Sequence, residues 1–411
     1  ITWSLVGSEM CIRDSMNREE QLMKKTIKEL LSIVAIVIAF VLIIPAIAQA
    51  KVKATDIDFP GNFYTKEIKS CKAMGDTSFD LNYNINHVKG LIGYDWTTDH
   101  NENSNSLTVN HDAITGPIKT FLEATHNAIG NGNEKNIAIA KDLAVAIAKA
   151  DTLYDSIGYH AVKKKPNCWK NSDVNAKCWY HEYQFARDVF GNYMIGAIWL
   201  KPYMTDTEFK VVDKYIKKMY KKFLAPKQGD ISERGFYQNA NGGIPILLYA
   251  SWTENKKLAA SEINTRFKEI NKLYYKDGYI NNNTFRGVRA QWYHSYGHNA
   301  ALGYVYIAQL WGAQVPEKLM NKLIKASEVV NLAILDREKF LDRKFTGKYN
   351  GNKTEDPAHA RWHTHQDSIA IDTLMLIVTD VKMVDDHVWE QKRDKTGMDD
   401  TISFNPNCIA K

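Results

Sequence analysis

The residues of this sequence whose types and spacing could do chemistry are concentrated between positions 277 and 296. Arg289, Tyr293 and Tyr296 are spaced i, i+4 and i+7, so on a helix their side chains share one face. A guanidinium near a phenol favours the phenolate and lowers the pKa of the phenol, as a tyrosine needs in order to act as a general base. The same spacing also fits an aromatic stripe packed into a core beside a long arginine, which is the commoner arrangement. The spacing alone leaves both interpretations open.

His294 and His298 form a second pair on the same stretch, spaced i and i+4. At about 100° per residue they point away from the face of Arg289, so we predict that they stand apart from the arginine and tyrosine cluster. A metal pair at this spacing is conceivable, but the sequence has neither an HExxH motif nor an obvious third ligand nearby. We therefore predict structural histidines, and neither a metal nor another cofactor.

Along most of the chain, apolar residues repeat at the spacing of an α-helix, so we predict that helices position these residues. Residues 134–150 repeat apolar side chains at spacings of three and four, and Thr205 with Glu208 forms a capping box that predicts a helix start. The pattern predicts an all-α single domain with helical stretches near 116–128, 134–150, 181–200, 205–223, 240–253, 257–275, 290–312, 317–335 and 365–380. Two polar segments, 76–113 and 343–361, are predicted to be long binding or lid loops, with disorder as the alternative.

The composition narrows the class of protein. Of 411 residues, 45% are hydrophobic and 24% charged, which excludes a disordered chain and a collagen-like repeat. Lysine and arginine exceed the acidic residues by 53 to 47, a mild excess that favours an anionic partner but not a nucleic acid.

The first fifty residues are set apart from the fold. Residues 8–15 resemble a translated sequencing adapter, so we assign 1–15 to an artefact. Residues 16–50 contain lysines, an apolar run over 30–44 and Ala48-Gln49-Ala50, which together are typical of a secretory signal peptide. A retained membrane anchor is the alternative, but the run is short against the roughly 20 residues that span a bilayer. We therefore predict a periplasmic or secreted domain over 51–411.

Four cysteines remain in this domain. In an oxidising compartment they suggest two disulfides, of which Cys168 with Cys178 would close a short loop and Cys71 with Cys408 would join the chain ends. Unpaired thiols are the alternative, and all three connectivities stay open.

From Arg286 to Tyr296, the pattern Arg-Gly-x-Arg-Ala-x-x-Tyr-His-x-Tyr, preceded by Asp277-Gly278, resembles the active-site helix of the alginate lyase superfamily. The superfamily is typified by the mannuronate lyases of polysaccharide lyase family five. The resemblance implies a secreted or periplasmic (α/α) toroid, an incomplete helical barrel, that cleaves uronate chains by β-elimination without a metal. Arg289 and Tyr296 match the carboxylate-binding arginine and the catalytic tyrosine. Individual residues match the family over 277–310, whereas in the rest of the chain only the pattern of helices is similar.

A second motif of this family departs from its pattern here. The family has an Asn-His pair before the arginine, and Asn241 matches the asparagine while Gly242 stands in place of the histidine. The lysine of the family's lid loop also has no clear counterpart in 76–113. His363 or His365 could supply the lost imidazole from another direction, although a zinc site with Asp367 or a structural pair would explain them too.

The implied reaction requires a bound carboxylate and a proton acceptor. Arg289 and Asn241 would neutralise the uronate carboxylate, and Tyr296 would take the C5 proton and return it to O4. One tyrosine in both roles favours syn elimination, which β-1,4-linked mannuronate and glucuronate permit. The other residues expected to contact substrate are Tyr293, Gln238, Arg286, His363 and His365.

Other classes of protein stay open at this point. Gly242 allows a non-catalytic polyuronate-binding protein. A toroid glycoside hydrolase would need a pair of carboxylates, and none stands out in the sequence. A purely structural periplasmic helical protein is the plainest alternative. We expect a monomer whose partner is an anionic polysaccharide, without membrane attachment after signal cleavage.

Overall fold

The computed structural model describes residues 51–59, 81–92, 107–152, 154, 186–223, 244–280, 290–343 and 369–384. The chain divides into two units, Ile1–Ala50 and Lys51–Lys411, and every described residue belongs to the second. The predicted adapter remnant, signal peptide and cysteines lie outside the described residues.

The described residues form eleven α-helices and no strand apart from one isolated bridge between Tyr274 and Ile280. The helices are α1 (Leu81–Lys89), α2 (Leu107–Gly130), α3 (Glu134–Lys149), α4 (Asn192–Leu200), α5 (Asp206–Phe223), α6 (Ile244–Trp252), α7 (Lys256–Leu273), α8 (Ala290–Leu310), α9 (Glu317–Leu335), α10 (Arg337–Asp342) and α11 (Ile369–Thr379). The predicted all-α class is therefore confirmed for this part of the chain.

Short polar side chains determine where several helices begin. The Asn133 side chain accepts a hydrogen bond from the Asn136 amide at the start of α3, and Asn255 does the same for α7. Before α5, the Thr205 amide donates to Glu208 Oε2 at 2.8 Å and the Glu208 amide donates to Thr205 Oγ1 at 3.3 Å. The predicted capping box is therefore confirmed, because these reciprocal bonds satisfy donors that the helix itself leaves unpaired.

Segment 76–113 differs from its prediction as a long loop. Helix α1 lies within it, and α2 already begins at Leu107. Polar residues dominate the composition of α1, but Val88 and the following Leu91 are fully buried and Ile85 packs on the core. This apolar stripe is sufficient to hold the helix against α2.

The helices pack on their neighbours in sequence and on the next helix but one. Consecutive helices are in contact, as α1 is with α2, α6 with α7 and α8 with α9. Helices separated by one other helix are also in contact, as α2 is with α4, α3 with α5 and α9 with α11. This pattern is typical of helical hairpins that are stacked side by side.

Helix α4 is enclosed by the elements that pack around it. All nine of its residues are buried, as expected for a helix that is apolar on every side. At Gly196 a Cβ atom would lie 2.5 Å from the Phe121 ring, so this glycine allows α2 and α4 to approach closely. Within the described ranges, no helix has the length and apolarity needed to cross a membrane.

Candidate active site

Helix α8 presents two different faces along its first turns. Tyr293 and Tyr296 are half-buried, whereas His294 and His298 are completely buried against α9 and its surroundings. This burial agrees with the predicted structural role of the two histidines.

His298 holds α8 to two neighbouring segments. Its Nδ1 atom lies 2.7 Å from the Tyr274 hydroxyl and its Nε2 atom lies 2.8 Å from Ser327 Oγ. Burial keeps the pKa of this imidazole well below its ordinary value of 6.5, and nearby His294 lowers it further. The ring is therefore neutral, with one donor and one acceptor.

The hydrogen-bond partners determine which nitrogen carries the proton. Ser327 Oγ donates to the Leu323 carbonyl at 3.0 Å, so it accepts from Nε2–H, and the Tyr274 hydroxyl donates to Nδ1. Ser327 Oγ also lies 3.2 Å from Thr379 Oγ1, but the Thr379 hydroxyl donates to the Met375 carbonyl at 2.6 Å, so neither hydroxyl has a proton left for a hydrogen bond between them. The two hydrogen bonds of His298 tie α8 to α9 and to the end of α7, and they fix the rotation of α8 about its axis.

His294 is the second buried contact of this face. Its Nε2–H donates to the Ala326 carbonyl at 3.2 Å, and its ring contacts the rings of Tyr279 and Phe340. Burial lowers the pKa of this imidazole to about 4, so it is neutral near pH 7. Its Nδ1 atom has no hydrogen-bond partner among the described residues.

The turn at 274–280 precedes the arginine-containing part of the motif. Gly278 has φ of 89°, and a Cβ atom there would lie 2.5 Å from the carbonyl group of Lys325, so both the conformation and the contact require glycine. Arg343 donates to both carboxylate oxygens of Asp277, at 2.6 and 3.2 Å. Its guanidinium also lies over the rings of Tyr275 and Tyr279, at 4.5 and 4.4 Å from their centroids.

The Asp-Gly pair of the motif is thus a structural anchor, and its role was not predicted from the sequence. Arg343 is 66 residues from Asp277 along the chain, so no local pattern could reveal the contact. The glycine itself was the available signal, because Gly after Asp in a short polar segment is typical of a turn with positive φ.

The face of α8 that carries Tyr293 and Tyr296 becomes fully buried further along the helix. Ala300, Tyr304 and Ile307 continue the face of Tyr293 and Tyr296 towards the C-terminus, and all three are fully buried. The half-buried part of this face is therefore its N-terminal end, which adjoins Arg289 in the sequence.

The remaining predicted site residues lie outside the described residues. They are Arg286, Arg289, Asn241, Gln238, His363 and His365. Their neighbours in the chain are described: α8 begins at Ala290, α6 begins at Ile244 and α11 begins at Ile369. Helices α8 and α11 are in contact. Within the part of the chain that the structure describes, no three histidine, cysteine or acidic side chains converge as metal ligands would.

Comparison with known proteins identifies a related fold. No protein-family model matches the chain, and no curated protein matches it closely enough to be a relative. Among solved structures, the crystal structure of alginate lyase A1-III from Sphingomonas species A1 is similar, with a TM-score of 0.55 and 12% sequence identity. The match covers 89% of this chain and 97% of that one. The chain therefore has the α/α toroid fold that the sequence predicted.

Proposed function

We propose that this protein is a polysaccharide lyase that cleaves a β-1,4-linked polyuronate, either polymannuronate or glucuronan, by syn β-elimination. The observation that carries the proposal is the pair of half-buried tyrosines, Tyr293 and Tyr296, at one end of α8. The opposite face of this helix is fixed by His294 and His298, and the fold is that of an alginate lyase. The motif places Arg289 immediately before this helix.

The reaction uses each residue type for a definite step. Arg289 and Asn241 bind and neutralise the carboxylate at C5, which lets the carbanion be held as an enolate-like species. The Tyr296 phenolate takes the C5 proton, a double bond forms between C4 and C5, and the C4–O4 bond breaks. The new phenol then returns the proton to O4, so no water is consumed. Tyr293, Gln238 and Arg286 are the further substrate contacts.

The missing histidine at Gly242 favours a mechanism in which one tyrosine is both base and acid. If an imidazole is still required, His363 or His365 supplies it, and alanine at that position will lower the rate without unfolding the protein. Full activity of both single alanine variants would show that Tyr296, Arg289 and Asn241 are sufficient.

An acidic pair that could suggest hydrolysis is already engaged by one buried arginine. Glu262 and Glu269 both pair with Arg266, at 2.8 and 3.0 Å, and Arg266 is almost completely buried. A hydrolase needs one carboxyl free to donate a proton and another free to act as base or nucleophile, so this cluster favours a structural role.

The setting of the proposed activity follows from the sequence. We expect a monomer that acts in the periplasm or after secretion, once the signal peptide at 16–50 has been removed. The substrate is an anionic polysaccharide, consistent with the net charge of +6. We propose no metal or other cofactor for the reaction.

The test is incubation of the purified protein with polymannuronate and with glucuronan, followed by the ultraviolet absorbance of an unsaturated uronate. A lyase produces this absorbance with at least one polymer. New reducing ends without the absorbance would identify a hydrolase, and binding without cleavage would identify a polyuronate-binding protein. Either of these outcomes would refute the proposal.

A further inference from the structure

Helix α5 carries a row of lysines along its exposed side. Lys210, Lys214, Lys217 and Lys221 are spaced i, i+4, i+7 and i+11, so they share one face and extend over about 16 Å of the helix axis. All four are exposed. We call these four residues the lysine row.

The other side of α5 fixes the row to the body of the protein. Val212, Ile216 and Met219 are buried in the core, and α5 packs on α3. Lys217 pairs with Asp213 at 2.8 Å, whereas Lys210, Lys214 and Lys221 form no ion pair with any described residue. Three cations of the row are therefore available to an external anion.

Two stacked aromatic rings border the row. The Tyr220 and Tyr249 rings are parallel within 3°, and their centroids are 3.5 Å apart. Both residues are half-buried. Tyr220 lies on α5 directly before Lys221, so the ring pair adjoins the row. Burial raises the pKa of the Tyr249 phenol, and the Lys217 ammonium opposes this rise.

A shallow groove continues the surface beyond the rings. Tyr249 lines it together with Thr253, Lys256 and Lys257, and its volume is about 780 Å³. Glu254 also lines the groove and lies 3.5 Å from Lys201, while Asp58 lies 3.8 Å from Lys256, so each of these carboxylates is paired with a lysine. Lys257 forms no ion pair within the described ranges and adds a further cation.

We propose that the lysine row, the Tyr220–Tyr249 pair and the adjoining groove form a second binding surface for an acidic polysaccharide. Ammonium groups pair with carboxylates spaced along a polymer, and an aromatic face packs against the apolar face of a sugar ring. The surface is carried by α5, α6 and the start of α7, none of which bears Tyr293 or Tyr296. It would hold a long chain on the protein between cleavage events. The identity of the polymer, a polyuronate, rests on the proposed function.

The experiment compares two triple variants with the same change in net charge. The first carries Lys210→Gln, Lys214→Gln and Lys221→Gln. The control carries Lys135→Gln, Lys268→Gln and Lys318→Gln, which are exposed lysines on three different helices. Both are made in a Tyr296→Phe background so that the polymer stays intact, and thermal unfolding confirms that both fold. Binding to polymannuronate and to glucuronan is measured by affinity electrophoresis at low salt, with dextran as the neutral polymer.

We expect the row variant to bind at least one acidic polymer about tenfold more weakly than the control variant, with a difference that shrinks as salt is added. Equal affinities for the two variants would overturn the proposal, and so would a stronger effect on a single-stranded oligonucleotide than on either polyuronate. Absence of lyase activity in the wild-type protein would refute the proposed function, whereas the binding difference would still support the surface.

Discussion

Burial divides the tyrosines of α8 into two groups. Tyr304 and Tyr306 are buried, and desolvation raises the pKa of Tyr304 far above its ordinary value, so ionisation there is costly. Tyr293 and Tyr296 retain contact with solvent on the same helix. A proton acceptor must be able to lose its proton at moderate cost, so the half-buried pair is the one suited to base chemistry.

Tyr296→Phe removes a single hydroxyl and is expected to lower turnover by about 10²-fold or more, because proton transfer to and from the sugar is lost. Binding of the polymer should stay close to that of the wild type. The measurement is the initial rate of unsaturated product formation, with exposed Tyr203→Phe as the matched control. A Tyr296→Phe rate above roughly a tenth of the wild-type rate would contradict a proton-transfer role.

Arg289→Lys tests whether the shape of the cation matters. An ammonium cannot reproduce the planar two-point contact of a guanidinium with a carboxylate, so we expect kcat/KM to fall by at least about tenfold. Steady-state kinetics on the better polymer gives the value, and the control is Arg337→Lys on the exposed side of α10. An unchanged kcat/KM would mean that positive charge is sufficient.

At the scale of helices and turns, local patterns were good predictors. The helices predicted at 134–150, 257–275 and 317–335 are confirmed as α3, α7 and α9, with ends within two residues, because periodic apolar residues and polar caps lie next to each other in the chain. The six-residue α10 was not predicted, since one turn and a half is too short to show a period.

The contacts that hold α8 in place were less predictable than the spacing of the residues that the motif contains. The arginine and tyrosine spacing is local, and it could be read from the sequence. The hydrogen bonds from His298 to Tyr274 and to Ser327 join residues 24 and 29 positions apart, and such partners are determined only by how helices pack. The structural role of His298 could be predicted from its position around the helix relative to Arg289. Its hydrogen-bond partners could not be predicted.

His298→Phe tests how strongly these two hydrogen bonds hold α8. It leaves the Tyr274 hydroxyl and Ser327 without their imidazole partner, which we expect to lower the free energy of unfolding by about 3 kcal/mol. Tyr274→Phe alone should cost about 1 kcal/mol. Because the two residues share one hydrogen bond, urea unfolding of the double variant should show less than the sum of the single effects. Strict additivity would show that the two side chains do not interact.

At the scale of the whole molecule, stability depends on pH because three histidines in the described part of the chain are buried. Burial lowers the pKa values of His126 and His294 to about 4, and that of His298 lies well below 6.5. In the unfolded chain these imidazoles take up protons near the ordinary value of 6.5. The unfolded state therefore binds more protons below that pH, and stability that is fully present above pH 6.5 is lost as the pH falls towards 4.

We expect each of His126 and His294 to contribute about 3 kcal/mol to this loss by pH 4. The measurement is the free energy of unfolding in urea at several pH values from 7 to 4. His126→Phe should reduce the slope between pH 6.5 and 5. The hydrogen bond from Lys141 lowers the pKa of Glu208 from 4.5 to about 2, so the stability that this carboxylate contributes is lost only between about pH 4.5 and 2. A stability that is constant between pH 6.5 and 5 would refute the assignment of neutral buried imidazoles.

The complete burial of α4 also bears on how the molecule can evolve. An open array of helical hairpins can gain or lose a repeat without exposing its core, because each repeat contacts only its neighbours. Helix α4 has no solvent-exposed face, and it contacts α2, α3 and α6. Deletion of a hairpin beside it would leave an apolar surface with no replacement cover. The number of hairpins around α4 is therefore constrained, and changes in length are expected to accumulate in the connecting loops.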